Sequence, residues 1–470
     1  MALLVILLFQ ACNSEVEEKE YPAEVLSRID SVEKNLAGWV VVKDESRWTL
    51  QQRMHDYRIK GLCIAVIRDY KIEWIKGYGL ADSAENRPVD LNTLFQAASI
   101  SKTINSMGIM RLVQEGRLDL DADINKYLRT WKSPFDTITT AQLLSHTAGL
   151  SQHGFPGYLR GVSLPDITQI LNGEPPADTK AVVPLARPGQ RVIYSGGGVT
   201  ISQLLLTDIT GQPYDRWMKR EVLDPLGMKS SFYTQPPPAS SFKNLATGYK
   251  PDGSEVPGKY HVYPELAAAG LWTNPGDLAR YIIETQLCYN GKSEKVISTE
   301  LMKKRLTPVI DNAALGVFIV KRGSGTWFLH DGGNEGFTCM AIGSLDSGDG
   351  AVIMTNSDNG SIMDEVINSV ATVYAWKDYY VPQERTPVSI SSEKLLKFIG
   401  EYDLGGGSAE IKQGDDGLIL DVYGMGWKMF FTSDSTFFVK EYNSDLKFGF
   451  RKDGSVSSII MNGMIFRKFK

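Results

Sequence analysis

The chain is poor in cysteine and histidine, with four and five in 470 residues. Cys12, Cys63, Cys288 and Cys339 are widely spaced. They supply neither a disulfide framework nor zinc-ligand spacing, so the last three are expected as buried free thiols. His55, His146, His153, His261 and His330 form no close cluster with acids or thiols, so no metal site is expected, and no cofactor motif is found. Basic residues (50) nearly balance acidic ones (55) and no long basic run occurs, which leaves no footprint for nucleic acid. No Gly-x-Ser-x-Gly window exists, which excludes the nucleophile elbow of an α/β-hydrolase. No internal repeat of fixed period is present.

Apolar length is also short at the N-terminus. Ala2 to Phe9 is a run of about eight residues, a signal h-region that cannot span a bilayer as a mature helix. Ala11-Cys12 after this run, followed by the acidic stretch Glu15 to Glu20, resembles a bacterial lipoprotein signal. That resemblance implies lipidation of Cys12, export to the cell envelope and membrane contact only through the lipid. Phe9 and Gln10 depart from the usual lipobox and no Lys or Arg precedes the run; a misplaced start codon would account for the missing charge. The alternative is an ordinary cleaved signal with an incidental cysteine.

At this length two or three domains are expected. Residues 1–20 read as signal and tether and 21–380 as the main domain. Residues 381–397, with Pro382 and Pro387, read as a linker, and 398–470 as a small all-β domain. Val25, Leu26, Ile29, Val32 and Leu36 recur at helical spacing, and a second helix is expected from about Arg47. Leu62 to Ile67 and Ile72 to Ile75 read as a hairpin. To about residue 290 the pattern is helical, with pieces at Ala141 to His146, Ile167 to Leu171, Thr200 to Ile209, Tyr214 to Leu223 and Asp277 to Cys288. Strand runs follow at Leu315 to Lys321, Thr326 to His330, Phe337 to Ile342 and Gly350 to Thr355, then a helix from about Asp364 to Trp376. The order predicts an α+β fold, with one antiparallel sheet assembled from both ends of the domain around a helical insert. After residue 398, short β runs separated by Asp416-Gly417 and Asp453-Gly454 turns predict a barrel or sandwich.

Chemistry is expected at Ser99 and Lys102. From Ser99, the apolar Ile100, Ile104, Met107, Ile109, Met110, Leu112 and Val113 make a helix that is buried nearly all round, with Gly116 to end it. Residues three apart share a face, so the Ser99 hydroxyl meets the Lys102 amine at the helix N-terminus, where the dipole favours an oxyanion. Ser-x-x-Lys alone is cheap, recurring at Ser31/Lys34, Ser240/Lys243, Ser391/Lys394 and Ser444/Lys447. Only at Ser99 does the lysine fall in the first turn of an apolar helix, where burial and dipole both oppose it. Two further windows bear on it. Tyr194 precedes Ser195-Gly196-Gly197-Gly198, and a Tyr beside a Lys shares a proton with it. His330-Asp331-Gly332-Gly333 ends a β run in glycines that let backbone approach a ligand.

Ser99-Ile100-Ser101-Lys102, Tyr194-Ser195 and His330-Asp331-Gly332, in this order, resemble the three signatures of class C β-lactamases, DD-peptidases and related serine esterases. Leu143 to Leu150, Asp224 to Met228 and Ala268 to Trp272 are similar to that family's landmarks, and the resemblance spans roughly residues 45 to 380. It implies an antiparallel sheet flanked by helices with a helical subdomain. It also implies Ser99 as nucleophile of an acyl-enzyme, Lys102 and Tyr194 as general base and acid, the N–H groups of Ser99 and Gly333 as oxyanion hole, and His330 and Gly332 beside the substrate. Two positions depart. Gly196 stands where many members carry an Asn that binds substrate, and His330 stands where lactamases place Lys and attracts a carboxylate less. The expected substrates are therefore an ester, an amide or a D-amino-acid peptide rather than an efficiently hydrolysed β-lactam. The alternative is a non-hydrolysing penicillin-recognising sensor on the same scaffold. The C-terminal domain resembles the lipocalin-like additions of some members and is expected to be non-catalytic. Gln152 to Leu164 and Leu245 to Glu265 are expected to wall the pocket.

Overall fold

A computed structural model describes residues 20–43, 45–135, 137–404, 407–422, 425–461 and 463–469. Cys12 and the apolar run before it lie outside the described residues. Two helices open the chain, α1 (Ala23–Glu33) and α2 (Leu50–Asp56). The second starts at Leu50 rather than Arg47, because the Thr49 hydroxyl and the Gln52 side chain cap each other's backbone N–H groups and fix the first turn there.

The main sheet has seven antiparallel strands. They are β1 (Gly61–Arg68), β2 (Lys71–Asp82), β3 (Arg87–Pro88), β4 (Phe318–Arg322), β5 (Gly325–Asn334), β6 (Phe337–Ser344) and β7 (Gly350–Thr355), in the order β3-β2-β1-β7-β6-β5-β4. The early hairpin and the late strands thus meet at the β1–β7 pair, where Ile64 lies opposite Ile353, as the sequence predicts. Both central strands are almost wholly buried, which matches their unbroken apolar runs. One face packs on α1, α2 and the helix α7 that follows the sheet (Ile362–Val373). The other face packs on α3 (Ile100–Gln114) and α6 (Pro275–Tyr289), and α3 in turn packs on α4 (Gly196–Thr210) and α5 (Leu266–Ala269). Cys63, Cys288 and Cys339 are buried free thiols.

The segment read as a linker is more ordered than its sequence suggests. Gln383–Arg385 forms a strand parallel to Val40–Val42, and Ser392–Leu396 is a short helix. Nine strands between Gly400 and Lys468 follow. From Gly400–Asp403 they run outward on one side through Ser408–Gly414 and Gly417–Val422 to Met425–Lys428, and on the other from Met464–Lys468 back to Phe430–Phe431. The two outermost strands are consecutive in the chain, joined through Met429, so the sheet curls into a nearly closed barrel. Among the described residues its interior holds a packed core that includes Phe398, Tyr402, Trp427, Phe431, Phe437 and Phe448.

The barrel is bonded to the main domain. Val40 and Val42 pack on Phe430 and Phe438, and the Val40 N–H donates to the Lys440 carbonyl at 3.1 Å. Beside this contact Arg53 of α2 is 5 % exposed and reaches two buried carboxylates, Glu365 of α7 at 2.5 and 2.8 Å and Glu441 of the barrel at 2.9 Å, besides the exposed Asp56 at 3.4 Å. Its guanidinium lies 3.8 Å from the Trp48 ring centre. Among the described residues no helix is long and apolar enough to cross a membrane.

Candidate active site

Ser99 is the N-cap of α3, and Ala98 just before it has φ 44°. A non-glycine residue held in the left-handed region marks a sharp turn whose strain the surroundings must overdetermine. Cys339 does part of that, its thiol lying 3.1 Å from the Ala97 carbonyl. The turn leads straight into a tight first helical turn, in which the N–H groups of Ile100, Ser101 and Lys102 donate to Ala97, Ala98 and Ser99 at 2.9, 2.9 and 3.0 Å.

Lys102 is 2 % exposed, and its Nζ donates to Ser99 Oγ at 2.9 Å and to the Ala268 carbonyl of α5 at 2.7 Å. Burial carries its pKa down to about 7, against a smaller opposing pull from Asp331. The Ala268–Leu271 segment is itself held: Leu271 N–H donates to Ser101 Oγ at 3.0 Å, and Asn334 Nδ2 to the Ala269 carbonyl at 3.1 Å. The carbonyl that aims the lysine is therefore fixed from two sides.

The Tyr194 ring centre lies 5.1 Å from Lys102 Nζ. Burial lifts its phenol well above the ordinary tyrosine range, opposed by a hydrogen bond with Ser99, so it is protonated at neutral pH. Three of the five histidines surround it. The ring centres of His146, His153 and His330 stand 4.2, 4.7 and 6.2 Å from that of Tyr194, and Phe318 at 6.3 Å completes the enclosure.

Each buried histidine has an assignable tautomer. His146 Nδ1 accepts from the Ser195 N–H at 3.2 Å, so its proton sits on Nε2. His330 Nδ1 lies 2.6 Å from the Asp331 carbonyl, which only accepts, so the proton sits on Nδ1 and Nε2 is a bare lone pair. Burial holds the His330 pKa down to about 4 and His146 well below its usual value. Both are neutral at pH 7, and His330 offers no cation.

Strand β5 runs past Ser99. Its hairpin with β6 closes at Asn334 opposite Phe337, so the alternation of the antiparallel ladder leaves the Gly333 N–H facing away from β6, on the side of α3. A Cβ at Gly332 would meet the Ala97 carbonyl at 2.5 Å, Cys339 Sγ at 2.8 Å and Ser99 N at 2.9 Å. Only glycine allows this approach of strand to helix. Gly332→Ala is expected to push β5 off Ser99 and lower kcat/KM about 10²-fold, the scale of a 1 Å misplacement, which steady-state kinetics on an activated ester checks.

Ser99, Lys102, Tyr194, His330, Gly332 and Gly333 are thus brought together. Sequence reasoning missed His146 and His153 as neighbours of Tyr194, although His146 lies within the Leu143 to Leu150 landmark. It also missed Glu265, fully buried just before α5, with neither carboxylate oxygen partnered among the described side chains; burial lifts its pKa to about 8. The expected pocket-wall loops pack on one another: Tyr158 and Val262 exchange backbone hydrogen bonds at 2.8 and 2.7 Å. No group of three or more His, Cys, Asp or Glu among the described residues could hold a metal ion.

The chain is similar to known proteins in sequence and in fold. A family model described as Beta-lactamase matches residues 47–371. Penicillin-binding protein 4* of Bacillus subtilis is 22 % identical over 82 % of this chain and 88 % of its own length. A β-lactamase of Pseudomonas fluorescens is 29 % identical over 50 % of this chain and 62 % of its own. Among solved structures, the octameric penicillin-binding protein homologue of Pyrococcus abyssi superposes with a TM-score of 0.60 at 21 % identity, covering 90 % of this chain and 98 % of that one.

Proposed function

The chain belongs to the beta-lactamase family, whose members are serine hydrolases, and on that premise we propose that it cleaves an ester, amide or D-amino-acid peptide through an acyl-enzyme at Ser99. The observation that carries this reading is the buried Lys102 amine, 2.9 Å from Ser99 Oγ, whose pKa burial brings down to about 7, so that a large share of it is neutral at physiological pH. A buried amine serves no structural need that methionine would not meet better, whereas a neutral amine against a hydroxyl is a base against its acid.

In the acylation step Ser99 Oγ bonds to the substrate carbonyl carbon while its proton passes to Lys102 Nζ. The carbonyl oxygen takes up the electron pair and faces the N–H groups of Ser99 and Gly333, each donor contributing about 3 kcal/mol to the barrier reduction. As the tetrahedral species collapses, the bond to the leaving group breaks and that group takes a proton from Tyr194, which Lys102 restores. Water then repeats the sequence on the acyl-enzyme and releases the acid. Tyr194 acts as a donor because its phenol is held protonated, and Lys102 acts as the base. The barrel, with its filled core, takes no part in this chemistry. Export to the cell envelope with a lipid on Cys12 remains our proposal for the location.

A fluorophosphonate is expected to label the folded protein on Ser99, located by peptide mass. Ser99→Ala is expected to abolish the label and to lower turnover of p-nitrophenyl esters about 10⁵-fold or more. An unlabelled, folded wild-type protein would refute the proposal, and labelling without turnover would mark a non-hydrolysing receptor instead.

A further inference from the structure

Gly196, the first residue of α4, is not simply a missing side chain. A Cβ there would stand 2.9 Å from Phe155 Cε2, 3.1 Å from the His153 carbonyl and 3.5 Å from the Gln152 carbonyl. The loop that follows Leu150 has moved into the space that an asparagine would need. Phe155 is half-buried on the main core, and the His153 ring, exposed to solvent, lies 4.7 Å from Tyr194.

The same loop also uses up the backbone donors at this wall. A helix start leaves its first N–H groups without helical partners, and these are the natural place for a substrate carbonyl or carboxylate. Here the Gly196 N–H donates to the His153 carbonyl at 3.1 Å and the Gly197 N–H to the Gln152 carbonyl at 3.0 Å. The Gly198 N–H donates to Ser195 Oγ at 2.9 Å. Ser195 Oγ in turn donates to the Ser151 carbonyl at 2.6 Å, so it too is committed. What this wall offers a substrate is the edge of Phe155 and the ring of His153. Its backbone donors are committed and Gly196 brings no side chain, so the imidazole of His153, turned to solvent, is its one polar side group.

We infer that Phe155 and His153 form an aromatic acyl wall in place of an amide-binding one. It selects plain alkanoyl or aroyl esters and amides over substrates whose acyl group carries an α-acylamino substituent. The inference rests on the acyl-enzyme reading above and names the substrate class for that site. An acylamino group against Phe155 would surrender hydrogen bonds to water and find neither an asparagine amide nor a backbone N–H in return, whereas an alkyl chain covers apolar surface.

The test compares p-nitrophenyl hexanoate with p-nitrophenyl N-acetyl-D-alaninate, each kcat/KM divided by the ester's own hydroxide rate. The wild type is expected to favour the hexanoate at least tenfold. Phe155→Ala is expected to raise KM for the hexanoate about tenfold with little change in kcat, and Phe155→Leu, which keeps an apolar wall, to restore most of it. Gly196→Asn alone is expected to lower activity on both esters, because the asparagine meets Phe155. Combined with Phe155→Ala it is expected to shift the preference toward the N-acetyl ester, so that the two substitutions are non-additive. A wild-type preference for the N-acetyl ester, or an unchanged hexanoate KM in Phe155→Ala, would overturn the inference. Fluorophosphonate labelling of Ser99 in the same samples separates the outcomes: label with the wrong preference removes only the acyl wall, whereas no label removes the hydrolase itself.

Discussion

Replacing Lys102 with methionine is expected to cost about 10³ to 10⁴ in kcat while making the protein harder to unfold. The kinetic loss follows from removing the base that takes the Ser99 proton, and its size is the upper range for general base catalysis. The gain in stability follows from burial. The folded state holds the lysine at about 7 against an ordinary 10.5, so between those values the unfolded chain binds a proton that the folded one does not. Stability of the wild type therefore rises with pH across about 7 to 10.5, and at or below pH 7 the amine carries its full cost. Its bonds to Ser99 and Ala268 return part of that cost, which leaves a net gain of about 2 kcal/mol for an isosteric apolar side chain. Denaturant melts at pH 7 and pH 10 check this: the methionine variant should exceed the wild type at pH 7 and lose most of its advantage at pH 10. In the wild type kcat/KM should rise as pH passes through about 7, as the Lys102 amine loses its proton.

The second large effect lies away from the site. Arg53→Met is expected to destabilise the protein by about 3 to 5 kcal/mol, because it leaves two buried carboxylates facing one another without the guanidinium between them. Glu365 is 2 % exposed, and burial already holds Glu441 up to about 7 with Arg53 in place. Both carboxyls have folded pKa values above their unfolded one, so the folded state binds the extra protons and stability falls as pH rises through that range. The deficit of Arg53→Met should accordingly be smaller at pH 5, where protonation relieves the pair, than at pH 8. Thermal melts at the two pH values read it directly. An equal deficit at both would show that Arg53 works by packing on Trp48 rather than by charge.

Much of this was legible in the chain because the informative signals are local or ordered. The apolar runs of β1 and β7 announce buried strands, and a lysine in the first turn of an apolar helix announces its own anomaly. What escaped did so for physical reasons. The helix α4 was expected from Thr200 but begins at Gly196, since glycine is the poorest helix former short of proline and the three in a row read as a loop. Glycine is needed there because no Cβ fits at the first two positions, Gly197 facing Val182 Cγ2 at 2.7 Å and Gln152 Cβ at 3.1 Å, and the Ser195 side chain caps the turn they form. The strand Gln383–Arg385 is polar and follows Pro382, and only its partner Val40–Val42, some 340 residues earlier, makes it a strand. The histidines around Tyr194 come from two distant segments, His146 and His153 from one irregular stretch and His330 from β5, and no spacing rule joins them. Gly196 was read as a subtraction, and the atoms that fill its place come from a loop whose path the sequence does not encode in any short pattern.

The seam between β1 and β7 also governs when the molecule can exist. Ile64 meets Ile353 across almost three hundred intervening residues, and β1 is apolar on both faces. During synthesis that strand leaves the ribosome early with only its hairpin partner β2 beside it, and its other edge waits until nearly the whole hydrolase unit has followed. Closing so long a loop makes the central pairing a late and slow event, and an apolar strand with a free edge is prone to pair with another chain in the interval. The α2–barrel contact between Arg53 and Glu441 joins residues 388 positions apart, so it too depends on the last part of the chain to be made.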